Sequence, residues 1–334
     1  MRTGLDILLA DPSRVVGQSV ALATHPDCST AAGTPILEAL SSVVPVRVVA
    51  PEAPHLIGAD LLLVDLPDGG LRAHPACDAT RVLLFAAAEA GVPVLVLDRP
   101  NPLDGVTLEG PTVHPGFESA FGPAGPPLRH GLTPGELARF FVRQSGLSVD
   151  VDVLRCTGWH RDHDHSDTGL PGAFDPLVTT RTLLSCTAWT VTPDLRFGAP
   201  GVDAHRLTDL CIKGAYDAEL EGAGFTPVRW TEAGEDLTGV AVELAHPRGV
   251  HSFLLGLVLL EAAVRETAEA RRGAFPWARH GNATARTPYI IDRVLGSPEG
   301  RLGLESRVQA RELLEAWASD VEQFEKDRRP VLMY

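Results

Sequence analysis

Short apolar runs alternate with helical patterns over the first hundred residues of the chain. Four runs of valine, leucine and alanine predict strands, at residues 20–24, 46–49, 61–66 and 94–97. Amphipathic segments at about 34–42 and 80–90 predict helices, and Gly91 is placed to end the second of them. Strands that alternate with helices form a parallel sheet with helices on its faces. We therefore expect an α/β fold with a parallel-sheet domain over residues 1–150.

The second half of the chain has a less regular pattern. Thr133 and Glu136 form the capping-box pair that starts a helix. Further elements are predicted as strands at 149–154 and 241–244, a long apolar helix at 252–272 and an amphipathic helix at about 306–326. We expect a smaller α+β domain over residues 151–334. No G-x-G-x-x-G follows the first strand and no P-loop occurs, so we expect neither a dinucleotide nor another cofactor.

Charge and composition narrow the classes of partner. The 43 acidic residues outnumber the 29 basic ones, for a net charge of −14, and no lysine or arginine run occurs. This balance argues against nucleic acid and against an anionic membrane surface, and favours a small-molecule substrate. We expect no signal peptide and no membrane span, hence a cytoplasmic protein. The arginine-rich, lysine-poor composition is typical of a GC-rich actinobacterium.

The stretch from residue 94 to 111, VLVLDRPNPLDGVTLEGP, concentrates polar groups at the end of a buried strand. Asp98 and Arg99 follow the strand directly, and Asn101 stands between two prolines that restrict the backbone. Ligands of open α/β sheets bind at the carboxyl ends of strands. The turn is therefore a candidate functional site, although the same charged pair could serve only to stiffen a loop.

Residues 160–167 read HRDHDHSD, three histidines and three aspartates in eight positions. Imidazole and carboxylate ligands suit zinc or iron, so a metal site is one interpretation. The other is a solvated loop, which we favour because alternate residues of an extended loop cannot all converge on one ion. The five cysteines are widely spaced and form no C-x-x-C pair. We therefore predict no metal.

Several motifs together resemble the NamZ-type exo-β-N-acetylmuramidase family. They are LDRPNPLDGVTLEGP (97–111), PGFESAFG (115–122), HGLTPGELA (130–138), GW-x-R (158–161), DTGLP (167–171), FGAP (197–200) and the ending RRPVLMY. The similarity covers nearly the whole chain. It implies a Rossmann-like amino-terminal domain and a smaller carboxyl-terminal one, with the active site in a cleft between them.

Two stretches depart from the family pattern. Pro51 and Glu52 match the first half of the family's P-E-H-G motif, but Ala53 and Pro54 stand where His and Gly should be. Residues 187–192, TAWTVT, align with a stretch resembling S-E-G-R-G-T and lack its acidic and arginine positions. Since glycoside hydrolysis ordinarily uses two carboxyl groups, these changes point to an altered chemistry.

The turn and the resemblance together give the candidate site. The catalytic candidates are Glu52, Asp98, Glu109 and His130. The substrate-binding candidates are His25, Asp65, Asp68, Arg99, Asn101, Trp159 and Arg161. The carboxylates would hold an ammonium group and take its proton, while Arg99 and His130 would hold an anionic group. His25 could either face the cleft or cap a helix.

Three functions remain open. The leading hypothesis is a biosynthetic enzyme of specialised metabolism, in which an amine displaces or eliminates an anionic leaving group such as sulfate, as in aziridine closure. The alternative is exo-β-N-acetylmuramidase activity, with Glu109 or Glu52 as the acid and Asp65 or Asp98 stabilising the sugar cation. The third is a non-catalytic subunit that binds a ligand or a companion protein.

Overall fold

The computed structural model describes residues 1–119, 121–172, 175–245, 250–270, 273–279 and 287–334. The chain divides into two compact units. The first comprises Met1–Leu108, Ala120–Phe174 and Gln323–Tyr334, and the second comprises Glu109–Ser119 and Asp175–Glu322. Among the described residues, no helix is both long and apolar enough to cross a membrane.

A five-stranded parallel sheet forms the centre of the first unit. Its strands lie in the order β2-β1-β3-β4-β5. They are β1 (Val20–Thr24), β2 (Val46–Val48), β3 (Leu61–Asp65), β4 (Val94–Leu97) and β5 (Val151–Leu154). Val94 is aligned with Leu62 on one side and with Val151 on the other, which sets β4 between β3 and β5. The predicted α/β class with a parallel sheet is confirmed.

Alternate residues of the central strands enter two separate hydrophobic clusters, one on each face of the sheet. Leu62 and Val64 pack in the cluster that contains Phe141, whereas Leu63 packs in the cluster that contains Leu8. Successive side chains of a strand point to opposite faces, so a continuous apolar run is what a doubly covered strand needs. The covering helices are α1 (Gly4–Ala10), α2 (Ile36–Ser41), α3 (Pro75–Ala90) and α4 (Pro134–Ser145), followed by the short α5 (His165–Thr168).

The predicted domain boundary at residue 150 lies too early in the chain. β5 pairs with β4 over four residues and completes the parallel sheet, so the segment that follows residue 150 belongs to the first unit. The last twelve residues, Gln323–Tyr334, also return to this unit. A boundary placed before a strand that the sheet requires would leave the edge of β4 unpaired.

The second unit contains a four-stranded antiparallel sheet in the order β6-β7-β9-β8. Its strands are β6 (Thr190–Val191), β7 (Arg196–Ala199), β8 (Ala223–Glu232) and β9 (Glu235–Leu244). Ala233 and Gly234 join β8 to β9, and both have positive φ angles, of 51° and 86°. A two-residue hairpin turn with two positive φ angles matches the twist of the flanking strands.

Helices make up most of the rest of the second unit. They are α6 (Val178–Leu184), α7 (Ala204–Asp217), α8 (Ser252–Glu269), α9 (Ile290–Val294), α10 (Glu299–Glu305), α11 (Ala310–Ala316) and α12 (Ala318–Arg328), of which α12 continues into the first unit. α8 confirms the predicted long apolar helix as far as Glu269, and residues 271 and 272 lie outside the described residues. The predicted single helix at 306–326 is wrong. Arg307 has a left-handed backbone, with φ of 67°, and helical structure resumes only at Ala310.

Candidate functional site

A cavity of about 900 Å³ lies at the carboxyl ends of the first four strands of the first unit. Thr24 ends β1, Glu52 follows β2, Asp68 follows β3 and Arg99 follows β4, and all four line the cavity. This edge of an open parallel sheet is where α/β proteins bind ligands. The acidic, basic and histidine side chains of the lining are His25, Asp27, Glu52, Asp68, His74, Arg99 and His165.

Asp68 is the buried carboxylate of this lining. Its Oδ1 accepts a hydrogen bond of 2.7 Å from the Gly70 N–H and lies 3.2 Å from Nε2 of His130. Its Oδ2 has no hydrogen-bond partner among the described residues, although the side chain is only 3% exposed. The structure therefore holds one oxygen of Asp68 in place and leaves the other uncommitted.

His130 is fully buried behind Asp68, and its hydrogen bonds define its tautomer. The Leu132 N–H donates to Nδ1 of His130 at 3.1 Å. Nδ1 must then carry the lone pair, so a neutral His130 carries its proton on Nε2, the atom nearest to Asp68. The predicted catalytic histidine thus lies behind a carboxylate of the lining and is not itself part of the lining.

Cys77 lies beside this pair, and the ligand atoms of Asp68, Cys77 and His130 are within 4.8 Å of one another. A metal on Nε2 of His130 would need the lone pair there, yet the Leu132 N–H already requires the lone pair on Nδ1. Burial also raises the pKa of the Cys77 thiol well above its usual range, which favours the protonated form. The hydrogen bond to Nδ1 therefore does not favour a metal ion on Nε2 of His130.

Arg99 and Asp65 form a buried ion pair at the wall of the cavity. Nη2 of Arg99 lies 2.7 Å from Asp65 Oδ2 and 2.9 Å from the carbonyl oxygen of Ser29, and Nε contacts Asp65 Oδ1. Burial alone would lower the pKa of Arg99, but the charge and hydrogen bonds of Asp65 raise it above its usual range. Both residues were predicted to bind substrate. In the structure, the side chains of Arg99 and Asp65 bind each other.

Asp98 follows β4 directly but does not line the cavity. Its Oδ1 accepts the N–H groups of Arg99 and Gly135, at 3.0 and 2.8 Å. Its Oδ2 accepts the hydroxyl groups of Thr133 and Tyr334, at 2.9 and 2.7 Å. Burial raises the pKa of Asp98 to about 7, against the lowering effect of the Tyr334, Gly135 and Thr133 donors. The carboxylate anchors the start of α4 and the end of the chain, which does not fit its predicted catalytic role.

Asn101 is also a structural residue of the turn. Its side-chain oxygen accepts the Leu103 N–H at 2.9 Å, and its amide donates to the carbonyl oxygen of Leu132 at 2.9 Å. The side chain is 1% exposed, and both of its polar atoms are used. The predicted substrate-binding amide therefore holds the LDRPNP turn against the segment before α4.

Trp159 and Arg161 are likewise occupied within the first unit. The Trp159 ring packs edge-on against Tyr334, with ring centroids 5.0 Å apart, and neither side chain lines the cavity. Arg161 forms an ion pair of 2.7 Å with the buried Glu136 and donates to the carbonyl oxygen of Gly105. Neither Trp159 nor Arg161 lines the cavity, although both were predicted to bind substrate together with residues that do.

Glu109 belongs to the second unit, where it is buried beside the start of α8. Its Oε1 lies 2.8 Å from Nδ1 of His251, the residue that precedes the helix. Glu109 is therefore paired within its own unit, and it is absent from the lining of the first unit's cavity. The predicted role as acid in that cavity has no support from this position.

Glu52 and His25 are the predicted site residues that do line the cavity with exposed side chains. Nδ1 of His25 lies 3.4 Å from Asp27 Oδ2, and the side chain is 55% exposed. Pro35 stands at the start of α2, so His25 does not cap that helix. Of the two positions left open by the sequence, the structure places His25 at the cavity.

Three acidic or histidine residues of the lining were not among the predicted site residues: Asp27, His74 and His165. His74 caps α3, since its Nδ1 accepts the Ala76 N–H at 3.3 Å, and Pro75 at the first helical position was the available signal. His165 comes from the HRDHDHSD segment. Asp164 and Asp167 of that segment form a capping box around α5, which explains two of its carboxylates by local structure.

Comparison with known proteins gives two consecutive family matches. Residues 23–174 match the model described as the N-terminal part of exo-β-N-acetylmuramidase NamZ, and residues 179–334 match its C-terminal part. The peptidoglycan β-N-acetylmuramidase NamZ of Bacillus subtilis (strain 168) is 26% identical over 303 residues, which cover 85% of this chain and 70% of that protein.

Two solved structures share the fold over the full length of the chain. Both are DUF1343 family proteins of Bacteroides fragilis NCTC 9343. One has a TM-score of 0.81 at 23% identity, the other a TM-score of 0.73 at 18% identity, and in each case 100% of this chain and 98% of the other are covered.

Proposed function

Because the chain belongs to the NamZ exo-β-N-acetylmuramidase family, we propose that it is a glycosidase that releases a terminal amino sugar, with Glu52 and Asp68 as its working carboxylates. One observation carries this proposal. These two carboxylates line the same cavity, one of them exposed and the other buried with a free oxygen. Glycosidases ordinarily use two carboxyl groups in different environments, one for each role.

Glu52 is the proposed general acid. It stands in the half of the P-E-H-G motif that this chain retains, and its exposed side chain lines the cavity. Asp68 is the proposed partner that stabilises the positive charge of the sugar ring in the transition state. The Gly70 N–H holds its Oδ1 in place, and Nε2 of His130 lies 3.2 Å from the same oxygen.

The other candidate carboxylates are committed elsewhere. Asp65 is paired with Arg99, Asp98 accepts four hydrogen bonds, and Glu109 is paired with His251 in the second unit. A carboxylate that must change partners to act would first have to break these contacts, each worth about 1.5–3 kcal/mol for a charged hydrogen bond. Glu52 and Asp68 need no such step.

The test is release of chromophore from aryl β-glycosides of N-acetylmuramic acid, N-acetylglucosamine and glucosamine. We expect Glu52→Gln and Asp68→Asn to lower turnover roughly 100-fold or more, the usual contribution of an acid or base catalyst. Glu89→Gln, at an exposed position of α3, should leave turnover unchanged. Full activity of Glu52→Gln, or no release from folded wild-type protein with any of the three sugars, would refute the proposal.

A second candidate is the biosynthetic displacement in which an amine attacks a carbon that bears sulfate. The observation in its favour is the acid-rich lining, in which Asp27, Glu52 or Asp68 could take the proton from an ammonium group. The freed amine would form the C–N bond as the C–O bond breaks, and sulfate would leave with the electron pair. Arg99 and His130 were expected to hold this leaving group, and both are committed to other residues.

This second candidate has its own probe. 2-Aminoethyl sulfate closes to aziridine with release of inorganic sulfate, which can be measured directly. Enzyme-dependent sulfate release that is lost in Asp68→Asn and retained in Glu89→Gln would establish displacement. Sulfate release at the rate of the buffer would remove it.

A further inference from the structure

Two histidines of the cavity lining, His25 and His74, accept the same kind of backbone hydrogen bond. The Asp27 N–H donates to Nδ1 of His25, and the Ala76 N–H donates to Nδ1 of His74, both at 3.3 Å. A nitrogen that accepts must carry the lone pair, so each imidazole, when neutral, carries its proton on Nε2. Nδ1 of His25 also lies 3.4 Å from Asp27 Oδ2, to which it could donate when protonated. His74 has no such carboxylate partner among the described residues, so its tautomer is the better defined of the two.

Nε2 of His74 is open to solvent at the cavity. It has no hydrogen-bond partner in the described part of the chain, and it is not one of the buried polar atoms that lack a partner. Solvent therefore reaches this nitrogen, and the residue that carries it lines the cavity. By contrast, Oδ2 of Asp68 and Nε2 of His130 are both buried atoms.

The imidazole of His74 is held on both sides of Nε2. The Ala76 N–H fixes Nδ1, and the Cδ2 edge of the ring lies against the backbone of Gly69, another lining residue. A Cβ on Gly69 would lie 2.8 Å from Cδ2 and 3.5 Å from Nε2, so the ring edge occupies space that a side chain at this position would need. The Nε2–H donor is therefore oriented before any ligand binds, which lowers the entropy cost of binding.

We infer that His74 determines substrate specificity, because its Nε2–H donates a hydrogen bond to an oxygen of the substrate. The inference rests on the proposed function only in treating the cavity as the substrate site. A hydroxyl, acyl or carboxylate oxygen can accept this bond, whereas an ammonium group cannot. Nε2 of a neutral His74 already carries a proton and cannot take another from the substrate. His74 is thus a binding residue, and the role of acid stays with Glu52.

The matched variant is His74→Asn. Asparagine is a preferred residue before a helix, so its side-chain oxygen can accept the Ala76 N–H, while its amide ends short of the Nε2 position. We expect an unchanged melting temperature. Calorimetry should show affinity for the methyl β-glycosides of N-acetylglucosamine and N-acetylmuramic acid lowered roughly 2- to 10-fold. His205→Asn, at an exposed position of α7, should bind both glycosides as the wild-type protein does.

The wild-type protein provides a second measurement. NMR spectra of the imidazole nitrogens, assigned with His74→Asn, should show the proton of His74 on Nε2 and a shift of that signal when either glycoside is added. A proton on Nδ1, no binding of either glycoside, or unchanged affinity in His74→Asn would overturn the inference. A lower melting temperature with unchanged affinity would mean that His74 only caps α3.

Turnover separates this inference from the proposed function. Loss of a substrate hydrogen bond that is equally strong in the transition state raises KM and leaves kcat unchanged. Glu52-dependent hydrolysis with an unchanged KM in His74→Asn would keep the proposed function and overturn this inference. Binding that is weakened in His74→Asn, without hydrolysis of any glycoside by the wild-type protein, would do the reverse.

Discussion

Tyr334, the last residue of the chain, should stabilise the first unit chiefly when Asp98 is ionised. Its hydroxyl donates to Asp98 Oδ2 at 2.7 Å and accepts the Cys156 N–H at 2.8 Å. Tyr334→Phe removes this hydroxyl and keeps the ring that packs against Trp159. The variant therefore isolates the hydrogen bonds from the aromatic contact.

The size of the effect depends on the charge of Asp98. A hydrogen bond to a charged group contributes about 1.5–3 kcal/mol and one between neutral groups about 0.5–1.5 kcal/mol. Burial raises the pKa of Asp98 to about 7, so the group is protonated in mildly acidic solution and ionised in mildly basic solution. We expect Tyr334→Phe to lower the free energy of unfolding by about 1 kcal/mol near pH 5 and by about 3 kcal/mol near pH 8.5.

The wild-type protein should itself lose stability over this range. The folded pKa of Asp98 lies above its ordinary value of 3.8, so its contribution is fully present below that value and is lost as the pH rises through about 7. The folded pKa of Asp98 exceeds its ordinary value by about three units, which corresponds to a loss of roughly 4 kcal/mol at most in the free energy of unfolding. Asp98→Asn removes the titration. Its penalty relative to wild type should therefore shrink with rising pH, while that of Tyr334→Phe grows.

Urea denaturation at the two pH values measures these changes, with hydrogen exchange of the β4 and β5 amides to report on the first unit alone. Tyr216→Phe is the matched control, because Tyr216 is 84% exposed on α7 of the second unit. A penalty for Tyr334→Phe that is the same at both pH values, or that is larger near pH 5, would refute the assignment of Tyr334 as a donor to an ionisable Asp98.

Two further predictions concern the packing around the same turn. Asp65→Asn leaves the Arg99 charge without its partner, and we expect the free energy of unfolding, measured by heat or urea, to fall by about 3–5 kcal/mol. The control Asp78→Asn breaks a more exposed pair with Arg81 and should change it by less than about 1 kcal/mol. Equal effects of the two substitutions would contradict the assignment of Asp65 and Arg99 as a stabilising pair. A Cβ on Gly4 would lie 2.6 Å from the Leu97 carbonyl carbon, so Gly4→Ala should lower the free energy of unfolding by about 1–3 kcal/mol. The control Gly224→Ala, whose Cβ would lie 3.7 Å from its nearest neighbour, should lower it by less. A wild-type melting temperature for Gly4→Ala would refute this prediction.

The strands of the first unit could be predicted from the sequence because both faces of the sheet are covered. β1 and β4 match the predicted residues 20–24 and 94–97 in full. Their apolar runs are continuous, short and bounded by turn residues, which leaves few other structures for them. The strand β8 (Ala223–Glu232) was missed. It is an edge strand that is largely exposed and contains a proline, so it shows no apolar run and little alternation.

The sequence predicts where the candidate site lies more readily than how its side chains are paired. The sequence places polar residues at the ends of the strands, and Glu52, Asp68 and Arg99 do meet at one cavity. It does not show which side chains bind one another, because the ion pair of Arg99 with Asp65 joins positions 34 residues apart in the chain. Only the folded arrangement reveals which carboxylate oxygens remain free.

The LDRPNP turn illustrates why a strong motif need not contain the reacting groups. Asp98, Arg99 and Asn101 each bind protein atoms, and together they connect α4, the chain terminus and β3. Such a turn fixes the edge of the sheet from which the cavity is built. We therefore expect the turn to be retained even in proteins that act on a different substrate. Differences in chemistry are then expected at positions that line the cavity without such contacts. Glu52, whose side chain is exposed at the cavity, is therefore a position at which we expect substrate choice to be determined.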